Sequence, residues 1–499
     1  MSDQRNLDTA FVGGLAWTTG AKLLTQFFSW GSVLILARLL SLSDFGITEM
    51  AGFIFGLTNV LAEFGIGTAV MQMHELDRRR LEQLNTASVV LCAVGYAGLV
   101  FFSQAMATFF HSEPLRVLII VNSLNLLITG FQAVPVGLLQ KDMDYRRLSV
   151  AEGVQCFVQA AVAVGCAVGG LGYWSLVAGM GAGKLIGAIM AIYWKPVAFA
   201  IPRWKDIEAP LRLGWQIAIS RLTWAAYNQS DAIVVGRMLG EAVLGSYRIA
   251  LNLAGAPAEK IGMLIMRVTG PLFAKVQNDT PAVRRYFKIF SEALAMSILP
   301  MMFGLVVVAP EAIRAILGAK WDSAIVPLQW LAVFIGARTL SALAQQVLTA
   351  LRYTRYNMWI SISSFVLMPT GFYFAARWGA GAVAATWVIL APATVLPPVV
   401  KLLRVIQLPL REYLDVLMPS MVGSAGMVAG LLPLRIWLLN TGARPMLSLV
   451  IMVAAGGALY AAVLMVFYRQ RVIRYVHFLR GLRKGSEELV TDSAESNAS

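Results

Sequence analysis

Several apolar segments of this 499-residue chain carry ionisable or amide side chains at helical spacing. In the segment near residues 213–237, Arg221, Asn228 and Asp231 are spaced i, i+7 and i+10, which places them on one face of an α-helix. An ionisable side chain at the centre of a membrane span costs about 2.5 to 3.5 kcal/mol unless it pairs, snorkels or faces water. These residues therefore either line a hydrated cavity or pair with one another across packed helices.

Three further apolar segments carry a polar face of this kind. The faces consist of Lys22, Gln26 and Ser29; of Asn59 and Glu63; and of Arg248, Asn252 and Glu259. Lipid would expel such faces, so their presence on four helices favours a hydrated cavity over pairing between packed helices. Arg338, in the segment near residues 325–350, is a secondary candidate for the same cavity.

The composition predicts a polytopic membrane protein. Only 14% of the residues are charged and 58% are hydrophobic, whereas soluble domains carry roughly 25% charged residues. The net charge of +14 comes from basic residues between apolar runs, which is typical of membrane proteins and does not indicate nucleic acid binding. The three cysteines and three histidines are scattered, so we expect no disulfide framework, metal site or cofactor.

Apolar windows of about 20 residues predict an all-α protein with about fourteen transmembrane helices. They lie near residues 14–38, 46–71, 86–109, 115–139, 149–169, 172–194, 213–237, 244–269, 287–309, 325–350, 357–376, 381–403, 414–439 and 446–468. Twenty-six Lys and Arg residues fall on one side of this layout and seven on the other, which places both termini in the cytoplasm. The acidic, serine-rich residues 485–499 are expected to be disordered.

The chain contains an internal repeat. The segment at residues 14–46 returns at residues 212–245, with matched charged and glycine positions at an offset of 198 to 199 residues. Six helices separate the matched elements, and an even number preserves orientation, so we expect two parallel six-helix repeats around a central cavity. The predicted division is a lobe at 1–200, a lobe at 201–405, two additional helices at 406–470 and a cytoplasmic tail at 471–499.

One motif is rejected as a phosphate loop. The segment AGMGAGKL at residues 178–185 lacks the first glycine of the P-loop pattern, has leucine after Lys184 and lies in the middle of a predicted helix. Gly179, Gly183 and Gly187, at four-residue spacing, instead predict a face where another helix packs closely.

Three further segments are informative: ARLLSLSDFG, the following EFGIGTAVMQ, and residues 309–332, which contain the LGxxW pattern as Leu317, Gly318 and Trp321. They resemble the Wzx-type polysaccharide flippase family of the multidrug, oligosaccharidyl-lipid and polysaccharide exporter superfamily. The resemblance covers about residues 10 to 400. It implies six plus six helices around a cavity lined by helices 1, 2, 7 and 8, and movement of an undecaprenyl-diphosphate-linked oligosaccharide from the cytoplasmic to the periplasmic leaflet.

With that substrate, the polar faces receive specific roles. Arginine offers a diphosphate two parallel hydrogen bonds and lysine offers a point charge, so Lys22, Arg221 and Arg248 are expected to contact the diphosphate. The neighbouring amides Gln26, Asn228 and Asn252 complete the candidate substrate site. Glu63, Asp231 and Glu259 would temper the positive potential or bind a coupling cation, either H⁺ or Na⁺.

Other functions remain open at this point. On the same fold the cargo could be a drug or a lipid-linked peptidoglycan precursor. A membrane-embedded glycan ligase or polymerase is less favoured, because the longest outer loop, near residues 310–327, has no acid and base at catalytic spacing. We expect a non-enzymatic protein of the bacterial inner membrane that contacts membrane lipids and a polysaccharide polymerase or export complex, and no nucleic acid.

Overall fold

The computed structural model describes most of the chain. The described residues are 25–26, 28–72, 77–203, 229–469 and 471, without the side chains of residues 57–69, 71–72, 264 and 267. All regular secondary structure in these ranges is helical. A helix satisfies its own backbone hydrogen bonds, which is why apolar segments in a membrane adopt this structure.

Six helices precede residue 203. They are α1 (Phe28–Leu39), α2 (Leu42–Gln72), α3 (Arg78–Phe110), α4 (Pro114–Lys141), α5 (Tyr145–Val168) and α6 (Trp174–Trp194). Local sequence explains several of their starts. Pro114 begins α4, where its missing N–H breaks no helical bond, and Asp144 caps α5 by accepting the N–H of Arg147.

Nine helices follow residue 229. They are α7 (Ser230–Leu239), α8 (Glu241–Lys275), α9 (Thr280–Ile316), α10 (Ile325–Ala350), α11 (Thr354–Ala375), α12 (Ala380–Ile389), α13 (Leu396–Val405), α14 (Leu410–Asn440) and α15 (Pro445–Phe467). Short turns at Ala319–Ala324, Ala376–Trp378 and Ala391–Thr394 connect some of them.

The helices lie where the sequence predicts them. Within the described residues, nine helices are long and apolar enough to cross a membrane, or eleven if two bent pairs each form one span. About half of the first predicted helix and most of the seventh fall outside the described residues, so the count of fourteen stays a prediction. The multi-pass membrane class follows from the spans that are present.

Two spans are bent, and a proline lies beside each bend. α8 bends by 43° between Glu241–Met263 and Val268–Lys275, and Pro271 lies just beyond this break. Proline has no backbone N–H, so Pro271 cannot donate a hydrogen bond to the carbonyl of residue 267. The helix therefore lacks one backbone hydrogen bond at this point, which allows it to bend. The span from Ala380 to Val405 bends by 44° next to Pro392. Pro257, in contrast, lies inside an unbroken segment of α8.

The first compact unit runs to Arg248 and includes Phe372–Ala380. Its central helix is α4, which packs against α2, α3, α5 and α6. Leu118 and Leu126 of α4 are fully buried, and the amides of Asn122 and Asn125 are buried and bonded to each other. α7 packs on α2 and α3.

Closely packed glycines join α5 to α6. A methyl group on Gly179 would lie 2.7 Å from the carbonyl oxygen of Gln159, and one on Gly183 would lie 2.9 Å from that of Gln155. Gly187 faces the Gln155 side chain at a similar distance. The predicted packing face is confirmed, since helices joined through small residues can bring their backbones together.

The second compact unit comprises Ile249–Gly371 and the chain from Gly381 onward. Its central helix is α9, which packs against α10, α14 and α15. Val308 of α9, Leu431 of α14 and Met452 of α15 belong to one buried cluster. α14 and α15, the two helices that the sequence places outside the repeat, therefore pack directly on the core of this unit. The predicted lobe boundaries at residues 200 and 405 stay a prediction.

Candidate functional site

The ten candidate site residues differ in how much of them is described. Lys22, Arg221 and Asn228 lie outside the described residues, as does the side chain of Glu63, whose backbone is part of α2. Gln26 is half-buried. The other five candidates also have described side chains, in two groups: Arg248 and Asp231 in the first unit, and Asn252, Glu259 and Arg338 in the second.

Arg248 forms an ion pair with Glu49. The Nε atom of Arg248, on α8, donates to Oε2 of Glu49, on α2, over 3.1 Å. The two side chains are 16% and 31% exposed, so water screens the pair only in part. Because a partly buried charge is costly without its partner, the pair ties α8 to α2 in this conformation.

Asp231 lies beside this pair in the interior of the first unit. Its side chain is fully buried, and its Oδ2 accepts a hydrogen bond of 2.8 Å from the hydroxyl of Tyr247. Its Oδ1 accepts the backbone N–H of Ala232, near the N-terminus of α7, where the helix dipole favours a negative charge. Asp231 and Glu49 both interact favourably with the charge of Arg248. The structure thus brings together two of the predicted residues, Arg248 and Asp231.

The contacts between α2 and α8 follow the offset of the sequence repeat. Glu49 and Arg248 are 199 residues apart, as are Gly46 and Gly245. A methyl group on Gly46 would meet the carbonyl oxygen of Glu241, and one on Gly245 would meet that of Leu42, which is again the residue 199 positions before Glu241. Reciprocal contacts of this kind arise where equivalent surfaces meet across a two-fold axis.

Polar side chains add hydrogen bonds to the contact between α2 and the start of α8. The carboxylate of Glu241 accepts hydrogen bonds from the hydroxyls of Ser43 and Ser112. Asp44, next to Ser43, accepts the backbone N–H of Tyr173 at 2.9 Å and so joins the start of α2 to the turn before α6. Both carboxylates lie in the first turn of a helix, the position that the helix dipole stabilises.

The second group forms an exposed polar face. Asn252 and Glu259 on α8 and Arg338 on α10 are all exposed. Asn252 is the central residue of the straight segment Glu241–Met263, and Arg338 lies at the middle of α10. Exposed charge at mid-span is costly against acyl chains, which favours a hydrated environment for these residues.

Contacts between α8 and α10 place two members of this group, Glu259 and Arg338, at neighbouring levels. Thr339, the residue after Arg338, faces Gly262, with 3.8 Å between its methyl group and an added Cβ on the glycine. Farther along, the amide of Gln346 donates to the carbonyl of Met266 over 2.9 Å. Glu259 lies one turn before Gly262, so Glu259 and Arg338 occupy neighbouring levels of two packed helices.

Glu49 is the functional candidate that the sequence analysis missed. The repeat alignment ended at Gly46 and Gly245, three residues before Glu49 and Arg248. Extending the alignment by one turn would have matched an acidic residue with a basic one. Opposite charges at equivalent positions are a signal for contact on a two-fold axis, and that signal was present in the sequence.

The LGxxW pattern has a structural role. Gly318 has φ = 101°, a conformation that favours glycine, and lies directly after α9. Trp321 is fully buried, and Arg314 binds the carboxylate of Asp322 with two nitrogens at 2.8 to 3.2 Å. The pattern therefore fixes the turn between α9 and α10.

The described part of the chain offers no cluster of three His, Cys, Asp or Glu side chains that could hold a metal ion. The expectation of no metal and no cofactor stays a prediction. The chemistry that the described residues support is reversible binding of charged and polar groups.

Comparison with known proteins places this chain in a family of polysaccharide biosynthesis proteins. A family model described as "Polysaccharide biosynthesis protein" matches residues 35–326. The lipopolysaccharide biosynthesis protein WzxC of Escherichia coli (strain K12) is 27% identical over 340 residues, 64% of this chain and 66% of that protein. The succinoglycan biosynthesis transport protein ExoT of Rhizobium meliloti (strain 1021) is 26% identical over 330 residues, 65% of this chain and 66% of that protein. The chain thus matches just under two thirds of the length of each.

A solved structure has the same fold. The lipid II flippase MurJ, in an inward closed conformation, superposes with a TM-score of 0.71 at 14% sequence identity, covering 91% of this chain and 99% of that one. This likeness concerns the fold alone, and it confirms the predicted all-helical polytopic architecture.

Proposed function

Because this chain belongs to the polysaccharide biosynthesis protein family, we propose that it is a flippase that moves an undecaprenyl-diphosphate-linked oligosaccharide across the bacterial inner membrane. The direction is from the cytoplasmic to the periplasmic leaflet, for the synthesis of exopolysaccharide, O-antigen or capsule. The relatives named for lipopolysaccharide and succinoglycan biosynthesis support this cargo.

The observation that carries the proposal is the exposed polar face of Asn252, Glu259 and Arg338 on two packed helices at mid-span. Sugar hydroxyls cannot enter hydrocarbon without losing several kcal/mol for each unpaired group. A hydrated polar face supplies hydrogen bonds to the sugars, while the polyprenyl chain stays in lipid and loses nothing.

The ionisable residues have separate roles in this proposal. Arg221, Arg248 and Lys22 bind the diphosphate, with Gln26, Asn228 and Asn252 as neighbouring donors and acceptors. Glu63, Asp231 and Glu259 balance the charge or bind a coupling H⁺ or Na⁺, so that the product is released. Arg338, at the middle of its helix, joins the sugar-binding face.

Arg248 also connects binding to movement. Its guanidinium pairs with Glu49 in this conformation, so it reaches a diphosphate only when that pair opens. We propose that substrate competes with Glu49 for Arg248, and that the exchange accompanies alternating access to the two leaflets. A ligand shifts a conformational equilibrium only if it makes different contacts in the two states. The substrate does so here, because it contacts Arg248 only in the state in which the pair with Glu49 is open.

The remaining parts of the proposal concern location and partners. We place both termini in the cytoplasm because Lys and Arg concentrate on that side of the sequence layout. The polymerase and export proteins that consume the flipped substrate are the expected partners. The protein performs no covalent chemistry on its cargo.

Deletion of the gene tests the proposal in cells. The expected result is accumulation of the lipid-linked oligosaccharide and loss of the surface polysaccharide, both restored by the wild-type gene. Normal export without precursor accumulation, in a strain with no second flippase, would reject it. If deletion instead blocks the supply of peptidoglycan precursor, the cargo is lipid II; if it changes only drug resistance, the protein is a drug exporter.

A further inference from the structure

A basic cavity lies at the N-terminal end of α9, away from the candidate transport site. It has a volume of about 320 Å³ and is lined by Thr280, Pro281, Arg284, Arg285, Lys288 and Gln407. All six residues belong to the second compact unit. Three of the six carry a positive charge.

Arg284 is held in place by the end of α13. Its Nε and Nη2 donate to the carbonyl of Ile406 at 3.1 and 2.9 Å, and Nη2 also donates to the carbonyl of Gln407 at 2.6 Å. A guanidinium has five N–H donors, so these bonds leave both hydrogens of Nη1 for a ligand. The carbonyl bonds fix the group without neutralising its charge.

Of the other two cations, one is ion-paired and one is exposed. Lys288 pairs with Glu412 of α14 at 2.5 Å, and Arg285 is exposed and lies over the ring of Tyr286, with 5.0 Å to the ring centre. The carboxylate of Asp279 caps α9 by accepting the N–H of Ala282. Three cations against Glu412 and Asp279 leave the cavity with a net positive charge, which favours an anion.

Exposed apolar residues lie at the start of α14. Leu410 and Leu414, on its first turns, are 57% and 45% exposed. The layout of Lys and Arg in the sequence assigns this end of α9 and α14 to the cytoplasmic side of the membrane. A cationic cavity at that boundary lies at the level of the anionic headgroups of the cytoplasmic leaflet.

We propose that this cavity binds the phosphate headgroup of an anionic phospholipid from the cytoplasmic leaflet. Arg284, Arg285 and Lys288 contact the phosphate, and the acyl chains stay in the surrounding membrane. The volume is near the lower end of the range of about 300–1,000 Å³ for small-molecule sites. The bound lipid joins the ends of α9, α13 and α14.

Thermal unfolding of the purified full-length protein in detergent tests this site. Dioleoylphosphatidylglycerol should raise the unfolding temperature in a saturable way, and dioleoylphosphatidylcholine should not, because a ligand stabilises the state that binds it. The double variant Arg285→Gln/Lys288→Gln should lose about thirtyfold in apparent affinity for phosphatidylglycerol, the combined share of two surface cations.

Two further variants provide the controls. Arg285→Gln alone removes an exposed side chain and should fold normally, with an intermediate loss of affinity. Arg79→Gln/Arg80→Gln removes two exposed cations on the same predicted side of the membrane, in α3, and should keep wild-type lipid affinity. The site would be overturned if phosphatidylglycerol stabilised all the variants as much as the wild-type protein. It would also be overturned if phosphatidylcholine stabilised the wild-type protein as much as phosphatidylglycerol does. Equal stabilisation by inorganic phosphate without lipid would assign the cavity to a soluble phosphate compound and overturn the lipid assignment.

Discussion

At the scale of single residues, the charges in the membrane-spanning helices are of two kinds, paired and exposed. Glu49 and Arg248 form a partly buried pair, whereas Glu259 and Arg338 are exposed at mid-span. Burial and exposure have different consequences here. A buried pair holds helices together, while an exposed charge must contact water or a polar ligand.

Neutralising Arg248 and neutralising Glu49 should have unequal effects on export. Arg248→Gln removes both the ion pair and a diphosphate donor, and we expect at least a hundredfold loss of polysaccharide export. Glu49→Gln removes only the pair and should lose less than tenfold. Export is measured in the deletion strain at matched protein levels.

The exposed pair Arg78–Glu82 provides the control for this comparison. The Arg78 side chain is 90% exposed, and Arg78→Gln should leave export unchanged, since surface ion pairs contribute little. Equal losses in Arg248→Gln and Glu49→Gln, with recovery in Glu49→Arg/Arg248→Glu, would show that Arg248 serves the pair alone.

The exposed residues Glu259 and Arg338 should affect transport without affecting folding. Glu259→Gln and Arg338→Gln leave no buried charge behind, so protein levels and unfolding temperatures should stay within the wild-type range. We expect at least a tenfold loss of export in each, because each change removes an interaction with the cargo or coupling ion. Wild-type export in both variants would contradict the role of this face.

At the scale of helices, close packing depends on glycines at specific positions. Gly179 and Gly183 of α6 lie against backbone carbonyls of α5, but Gly165 of α5 has no neighbouring atom within 4 Å of an added Cβ. The same amino acid therefore has different importance at positions in adjacent helices.

Alanine substitutions at these glycines should separate the two cases. Gly179→Ala forces α5 and α6 apart and should lower the unfolding temperature and the amount of protein in the membrane. Gly165→Ala should be neutral or stabilising, because alanine favours a helix by up to about 1 kcal/mol over glycine. If Gly179→Ala and Gly165→Ala had the same effect on the unfolding temperature and on the amount of protein in the membrane, the predicted difference between the two positions would be wrong.

The sequence was sufficient for the helices but only partly for the site. Apolar runs bounded by charge located the spans, since membrane insertion leaves few alternatives. The repeat indicated which helices are equivalent, and the spacing of Asp231 and Arg248 identified two residues that the structure brings together. Glu49 was missed because it becomes significant only through a contact between helices. The cavity at α9 was also missed, since it combines Arg284 with carbonyls 122 and 123 residues away.

At the scale of the whole molecule, the C-terminal helices are part of the packed core. Arg435 of α14 donates to Glu311 of α9 at 2.8 Å, and the Glu311 side chain is only 7% exposed. Tyr460 of α15 donates to the carbonyl of Met296, also on α9. α14 and α15 therefore stabilise the second unit although they lie outside the repeat.

Removing one partner of the Arg435–Glu311 pair should destabilise the protein. Arg435→Met leaves a buried carboxylate without its counter-charge, a change that costs about 3–5 kcal/mol in buried pairs. A clear decrease in unfolding temperature is expected, with recovery in Glu311→Gln/Arg435→Met. The exposed pair Arg471–Asp415 is the control, and Arg471→Met should change little. If Arg435→Met unfolds at the wild-type temperature, the pair does not stabilise the attachment of α14.

Translocation in proteoliposomes tests the central claim most directly. Undecaprenyl-diphosphate-linked oligosaccharide is placed in the outer leaflet, and the fraction that becomes protected from an added glycan-cleaving enzyme is followed with time. The account predicts rapid protection with the wild-type protein and only the slow background of protein-free liposomes with Arg248→Gln. Protection by the wild-type protein at no more than the protein-free rate, with a correctly folded and inserted protein, would contradict the account.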